Sequence, residues 1–144
     1  MILKFRAWDN REKDLIYGIV PLSDGTFLLE NVNSDKYVDK YPNIDILPPS
    51  EFVINQFTGL KDKNGKDIYA GDILQFNSPI IERLKEIAEV FWNDKYCSFE
   101  VRGKDVADCL NKNLGIYIKR LKDKPQFEVI GNIYENAELL EEPF

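Results

Sequence analysis

The chain has no histidine. That removes the commonest general base, the usual activation of serine and cysteine nucleophiles, and the commonest metal ligand. An enzyme made from this sequence would have to work with carboxylates, lysine or tyrosine. Cysteine is scarce as well. Cys97 and Cys109 stand alone, with eleven residues between them and no CxxC pair anywhere. In a reducing compartment both are expected as small buried hydrophobes rather than as a disulfide. No apolar run is long enough to span a bilayer. The start, Met1 to Asp9, carries charge within its first six residues and lacks the apolar stretch of a secretion signal. A cytoplasmic location, away from any membrane, is therefore expected. Internal repeats and low-complexity segments are also missing.

What is present is ordinary globular material. The 144 residues suit one domain, and one of this size buries roughly 68–70% of its unfolded surface without a metal or disulfide. Hydrophobic residues make up 44% and charged residues 31%, which excludes a disordered chain. Nineteen basic residues face twenty-five acidic ones, for a net charge of −6. Tight, non-specific nucleic-acid binding rests on neutralising phosphates and is disfavoured by that balance. A local basic patch stays open.

Along the chain the dominant signal is a period of two. Leu3, Phe5 and Ala7 alternate with Lys4, Arg6 and Trp8. A polar cluster from Asp9 to Asp14 makes a turn, and Leu15 to Val20 returns as a second strand. Asp24-Gly25 is another turn signal before a strand from Thr26 to Glu30. The stretch 31–50, with Pro42, Pro48 and Pro49, reads as a long loop, and an internal boundary would fall there. Strands follow at Glu51 to Phe57 and Ile73 to Phe76. Ser78-Pro79 opens a short helix or irregular arm that gives way near Lys85 to a strand through Trp92. Asn93-Asp94-Lys95 is a tight turn, and Cys97, Phe99 and Val101 form the inward face of the next strand. A helical turn from Asp105 to Leu110 is expected, then strands at Gly115 to Lys119 and Gln126 to Ile130. Asn136 is expected to cap a last short helix. The sum is a mainly β, minor α+β chain: a small antiparallel β-barrel, SH3-like in size, with an N-terminal hairpin and short helices.

The densest stretch is "TGLKDKNGKDIYAGDIL", Thr58 to Leu74. A phosphate loop needs four residues between its glycines and a hydroxyl after Gly-Lys. Here five residues separate Gly59 from Gly65, and Asp67 follows Lys66. A calcium loop needs oxygen ligands at positions one, three and five and glycine at six. Counted from Asp62, glycine arrives at four and Lys66 stands at five. Neither a metal nor a cofactor is expected. A turn fits better: Asn64 and Gly65 accept positive φ, Gly71-Asp72 marks a second bend, and Gly59, Gly65 and Gly71 are structural. Lys61, Lys63, Asn64, Lys66, Tyr69 and Asp72 form a candidate binding surface, basic at its rim with a tyrosine to stack a base. Asp62 and Asp67 interrupt it, which favours a solvated turn. Trp8 and Trp92 read as core or interface aromatics rather than ligand platforms. The acidic tail from Glu138 to Glu142 reads as a packed helix end. No carboxylate pair has the spacing of an acid–base couple.

Three segments carry a resemblance. "LKFRAWD" at the start, "FTGLKDKNGKDIYAGDIL" in the middle and "FEVIGNIYENAELL" near the end resemble the YopX family of phage and prophage proteins. Together they span Leu3 to Leu140. Ala137 stands where the family commonly has proline, which removes a preorganised first helical position. The resemblance implies a mostly β, self-associating protein of the bacterial cytoplasm. It brings no catalytic residue and no ligand. The expected function is that of an accessory protein, not an enzyme, that contacts itself and a host or phage protein. The alternatives are a nucleic-acid-binding β-barrel module, with nucleic acid the less favoured partner, and a carboxylate-based hydrolase.

Overall fold

The computed structural model describes residues 3–29, 50–77, 85–103 and 127–141. Its contacts divide the chain into two compact units, Met1–Gln56 and Phe57–Phe144.

The first unit is built on the expected N-terminal hairpin. β1 (Phe5–Asp9) runs antiparallel to β2 (Asp14–Pro21), which pairs in turn with β3 (Phe27–Leu29). On its other edge β1 pairs with residues 52–56 of β4 (Phe52–Lys61). Asp9 sets the first turn. Its Oδ1 accepts from the backbone N–H of Arg11 at 2.9 Å and of Glu12 at 3.3 Å, and the Lys13 N–H closes back on its carbonyl. The core gathers Ala7, Ile16, Ile19 and Phe52, with Phe5, Phe27 and Ile54 against them. The other face of β1 reads as polar in sequence but is equally buried. Arg6 is 2% exposed and Trp8 4%, and the Arg6 Nε donates to Asn55 Oδ1 at 3.2 Å. A buried guanidinium needs such partners, because an unpaired buried charge is costly.

In the second unit β4 continues through residues 57–61 and pairs with β5 (Asp67–Tyr69). β6 (Asp72–Asn77), β7 (Lys85–Asn93), β8 (Ser98–Arg102) and β9 (Glu128–Asn132) form an antiparallel sheet in the order β8-β7-β6-β9. Alternation along β7 turns Ala88 and Val90 to a core that also holds Ile68, Leu74, Phe76, Val101 and Phe127. The Phe76 and Phe127 rings lie 5.1 Å apart. Each such side chain stabilises the unit by about 1.5–3 kcal/mol on burial.

The mainly β reading holds. The described strands form open sheets and none closes into a barrel, since β8 and β9 stand at opposite ends of their order. β4 runs four residues beyond the expected end at Phe57, passing Gly59 at φ +87° with a break in register. Thr58 seals that irregularity: its Oγ1 donates to the Ile68 carbonyl at 2.7 Å and accepts from the Leu60 N–H. The last helix is a 3-10 turn, Ala137–Leu140, and Asn136 does not cap it. The Asn136 Oδ1 accepts from the Asn132 N–H instead. Cys97 is exposed, in the turn after β7 at φ +49°, and not buried within a strand. The helix expected after Ser78, the helical turn 105–110, the strand 115–119, Cys109 and most of the loop 31–50 lie outside the described residues.

Candidate contact surface

The central stretch folds as a hairpin loop, Asp62 to Lys66, between β4 and β5. The Gly65 N–H donates to the Asp62 carbonyl at 3.0 Å, and the Asp62 N–H to the Lys66 carbonyl at 2.8 Å. Gly65 takes φ +81°, the left-handed position such a loop requires. Asn64 keeps negative φ, so the turn needs one left-handed residue where two were expected. Gly59 and Gly71 also have positive φ, at +87° and +90°.

The aspartates hold backbone. Asp62 Oδ1 accepts from the N–H of Asn64 at 2.8 Å and of Lys66 at 2.9 Å, while Oδ2 accepts from the Val129 N–H on β9 at 3.0 Å. Burial opposes ionisation of this carboxyl. The three N–H donors, from Val129, Lys66 and Asn64, and the Lys66 charge outweigh burial and hold it below its ordinary value. Asp72, likewise buried, closes the next turn by accepting from the Tyr69 N–H at 2.8 Å. The end of the chain locks onto the same region. The Lys63 N–H donates to the Phe127 carbonyl, and the Ile133 N–H to the Gly71 carbonyl, both at 2.9 Å. Asn132 Oδ1 then caps the following turn through the N–H of Tyr134 and Glu135. The middle and final segments singled out in the sequence are therefore one interlocked structure.

That arrangement breaks up the candidate basic rim. Lys61 and Lys63 are exposed but engaged, Lys61 with Asp67 at 2.8 Å and Lys63 with Glu128 at 3.2 Å. Asn64 and Lys66 are exposed at the loop tip. Tyr69 is only 6% exposed, packed 5.6 Å from the Phe57 ring, and offers no open face to a base. Asp72 is buried as well. Among the described residues, no group of three or more acidic or cysteine side chains is placed to hold a metal ion.

The surface with unusual chemistry lies elsewhere, at the end of the β7–β8 hairpin. Trp92 continues the face of Ala88 and Val90, and Phe99 opposite it continues the face of Val101. This apolar stripe leaves the core and runs into solvent. Trp92 is 45% exposed and Tyr96 64%. The Trp92 and Phe99 rings meet edge-on at 4.9 Å. Lys95 lies over the Tyr96 ring at 5.2 Å. On the opposite face Arg102 stacks 4.3 Å from Phe91 and pairs with Glu89 at 2.7 Å, which stiffens the hairpin. The sequence marks Trp92 as a core or interface aromatic but does not single out Tyr96. The available signal was the placing of Trp92, Tyr96 and Phe99 around one turn.

In comparison with known families, residues 4–141 match the YopX protein family. No curated protein matches the chain. Among solved structures, protein EF1440 from Enterococcus faecalis is similar at 28% identity and a TM-score of 0.60, over 97% of this chain and 99% of that one. Protein yopX from Bacillus subtilis is similar in fold at 22% identity and a TM-score of 0.60, over 98% of each chain. No described helix is long and apolar enough to cross a membrane.

Proposed function

This chain belongs to the YopX family, and we propose that it is a phage- or prophage-type accessory protein that acts by protein–protein contact without catalysis. The observation that supports this is the aromatic end of the β7–β8 hairpin. Trp92 and Tyr96 hold large apolar surface in water, which is unfavourable until a partner covers it. Tryptophan and tyrosine are also the residues that most often carry binding energy at protein interfaces. The partners are further copies of this chain and a host or phage protein in the bacterial cytoplasm.

The nucleic-acid alternative draws less support. Its lysines are partly neutralised by Asp67 and Glu128, and its tyrosine is buried. A carboxylate-based hydrolase draws less still, because Asp62 and Asp72 accept backbone hydrogen bonds inside turns. The test is affinity capture from phage-infected host cells, with and without nuclease. A protein partner that survives nuclease treatment is expected. A partner lost with nuclease, together with binding of bare nucleic acid, overturns the reading.

A further inference from the structure

Asn64 is the only asparagine of this chain that a glycine follows. Both residues are exposed at the tip of the β4–β5 loop. The amide carbon of Asn64 lies one ring closure away from the backbone nitrogen of Gly65. In most sequences the Cβ of the following residue hinders that attack. Gly65 has none, and nothing lies within 4 Å of where a Cβ would stand. Lys63 and Lys66 flank the pair, and nearby positive charge favours the deprotonated amide that attacks.

We infer that Asn64-Gly65 is a site of spontaneous modification, whose isoaspartyl product opens the Asp62 clamp on β9. The Gly65 nitrogen gives its proton to solvent and bonds to Asn64 Cγ. The Cγ–Nδ2 bond breaks, and the amide nitrogen leaves as ammonia with a proton from water. Water then opens the cyclic imide at either carbonyl, so no oxidant or reductant is needed. One opening leaves aspartate. The other leaves isoaspartate, in which the main chain runs through Cβ and Cγ and is one atom longer. Both products add one negative charge to a chain of −6.

The turn is closed too tightly for the extra atom. Asp62 Oδ1 accepts from the Asn64 N–H at 2.8 Å, before the new link, and from the Lys66 N–H at 2.9 Å, beyond it. The Asp62 N–H also donates to the Lys66 carbonyl at 2.8 Å. A longer link carries Lys66 away from both bonds and sets a second carboxylate beside Asp62. The hold of Asp62 Oδ2 on the Val129 N–H, 3.0 Å in the unmodified chain, weakens with them. The same turn restrains the reaction. The Gly65 N–H donates to the Asp62 carbonyl at 3.0 Å, so its nitrogen attacks only when the turn opens. Opening an exposed loop costs far less than global unfolding, so the reaction runs in the folded protein.

The experiment is incubation of the full chain at neutral pH and physiological temperature, followed over weeks by peptide mass spectrometry that separates aspartate from isoaspartate. Asn64 should convert faster than every other asparagine, with isoaspartate among its products. Conversion should be slower than in urea-denatured chain and several-fold faster in Asp62→Ala than in folded wild type. Urea below the unfolding midpoint should also speed wild type, which tests the turn's restraint even where Asp62→Ala does not fold. In the aged protein, hydrogen exchange at the Val129 amide should rise several-fold. Asn64→Gln, whose longer side chain closes the ring poorly, should age without that rise. Asn64→Asp, which adds the charge without the extra atom, should show a smaller one. An Asn64 that outlasts the other asparagines overturns the inference. Isoaspartate at Asn64 with unchanged Val129 exchange overturns it too, as does an equal rise in Asn64→Asp. Equal rates in the folded and denatured chains overturn the restraint by the turn.

Discussion

The Asp62 carboxylate accepts from the Val129 N–H at 3.0 Å across 67 positions of sequence. The same group closes its own turn through Asn64 and Lys66. One side chain thus fixes the central loop and clamps it to β9. Asp62→Ala removes three charge-assisted bonds and leaves the Val129 N–H without its acceptor. The expected loss is at least about 2 kcal/mol, read by urea denaturation. Acid gives a second readout. The folded carboxyl titrates below its ordinary 3.8, so its stabilisation is present above that pH and is lost as pH falls below it. Asp62→Asn should flatten the decline in stability below about pH 4 relative to wild type. An unchanged acid limb would remove Asp62 from the account.

Gly65 tests the turn alone. A Cβ there meets nothing within 4 Å, so any cost of substitution comes from backbone conformation. Gly65→Ala should cost about 1–2 kcal/mol, and Gly65→Asn less, because asparagine tolerates the left-handed region. Thermal melts of the pair decide it. Equal stability of all three proteins would contradict a strained turn.

Gly131 tests close packing instead of conformation. A Cβ at that position would lie 2.4 Å from Asn136 Oδ1 and 2.8 Å from its Cβ. Gly131→Ala must displace the Asn136 side chain and break its bond from the Asn132 N–H. A destabilisation of about 1–3 kcal/mol is expected. Adding Asn136→Ala should recover part of that loss by relieving the clash. A strictly additive double variant would show that the two residues do not meet.

Nucleic acid should bind weakly. Neutralising about three phosphates gives a weak, salt-sensitive complex, and Lys61 and Lys63 already face Asp67 and Glu128. Fluorescence anisotropy at physiological salt should show no sub-micromolar binding to single or double strands. Tight binding lost on reversing Lys61, Lys63 and Lys66 would restore the nucleic-acid reading.

Local structure was the legible part of this sequence. The β1–β2 hairpin follows from alternation of Phe5 and Ala7 with their neighbours and from the turn chemistry of Asp9 to Asp14. The left-handed Gly65 follows from its place in Lys63-Asn64-Gly65-Lys66. Long-range structure was not legible. Asp62 looks like an interruption of a lysine rim until β9 arrives from far along the chain. Arg6 reads as a solvent-facing position because a period of two shows which residues share a side, not what covers it. Asn136 has the chemistry of a helix cap, yet its amide oxygen finds the Asn132 N–H first. The exposed tip escaped for a related reason: tryptophan, tyrosine and phenylalanine are core residues by default. Only folding shows that Trp92 and Tyr96 lie beyond the edge of the core.

The central claim is that the motif residues of the β4–β5 loop build the fold while the β7–β8 hairpin end makes the contact. Quantitative affinity capture with two full-length variants tests it most directly. One carries Trp92→Ser and Tyr96→Ser, the other Lys61→Glu, Lys63→Glu and Lys66→Glu, each first shown by melting to be folded. The hairpin variant should lose the nuclease-resistant protein partner, at least tenfold in amount bound, while the lysine variant retains it. Retention by the hairpin variant and loss by the lysine variant would contradict the account.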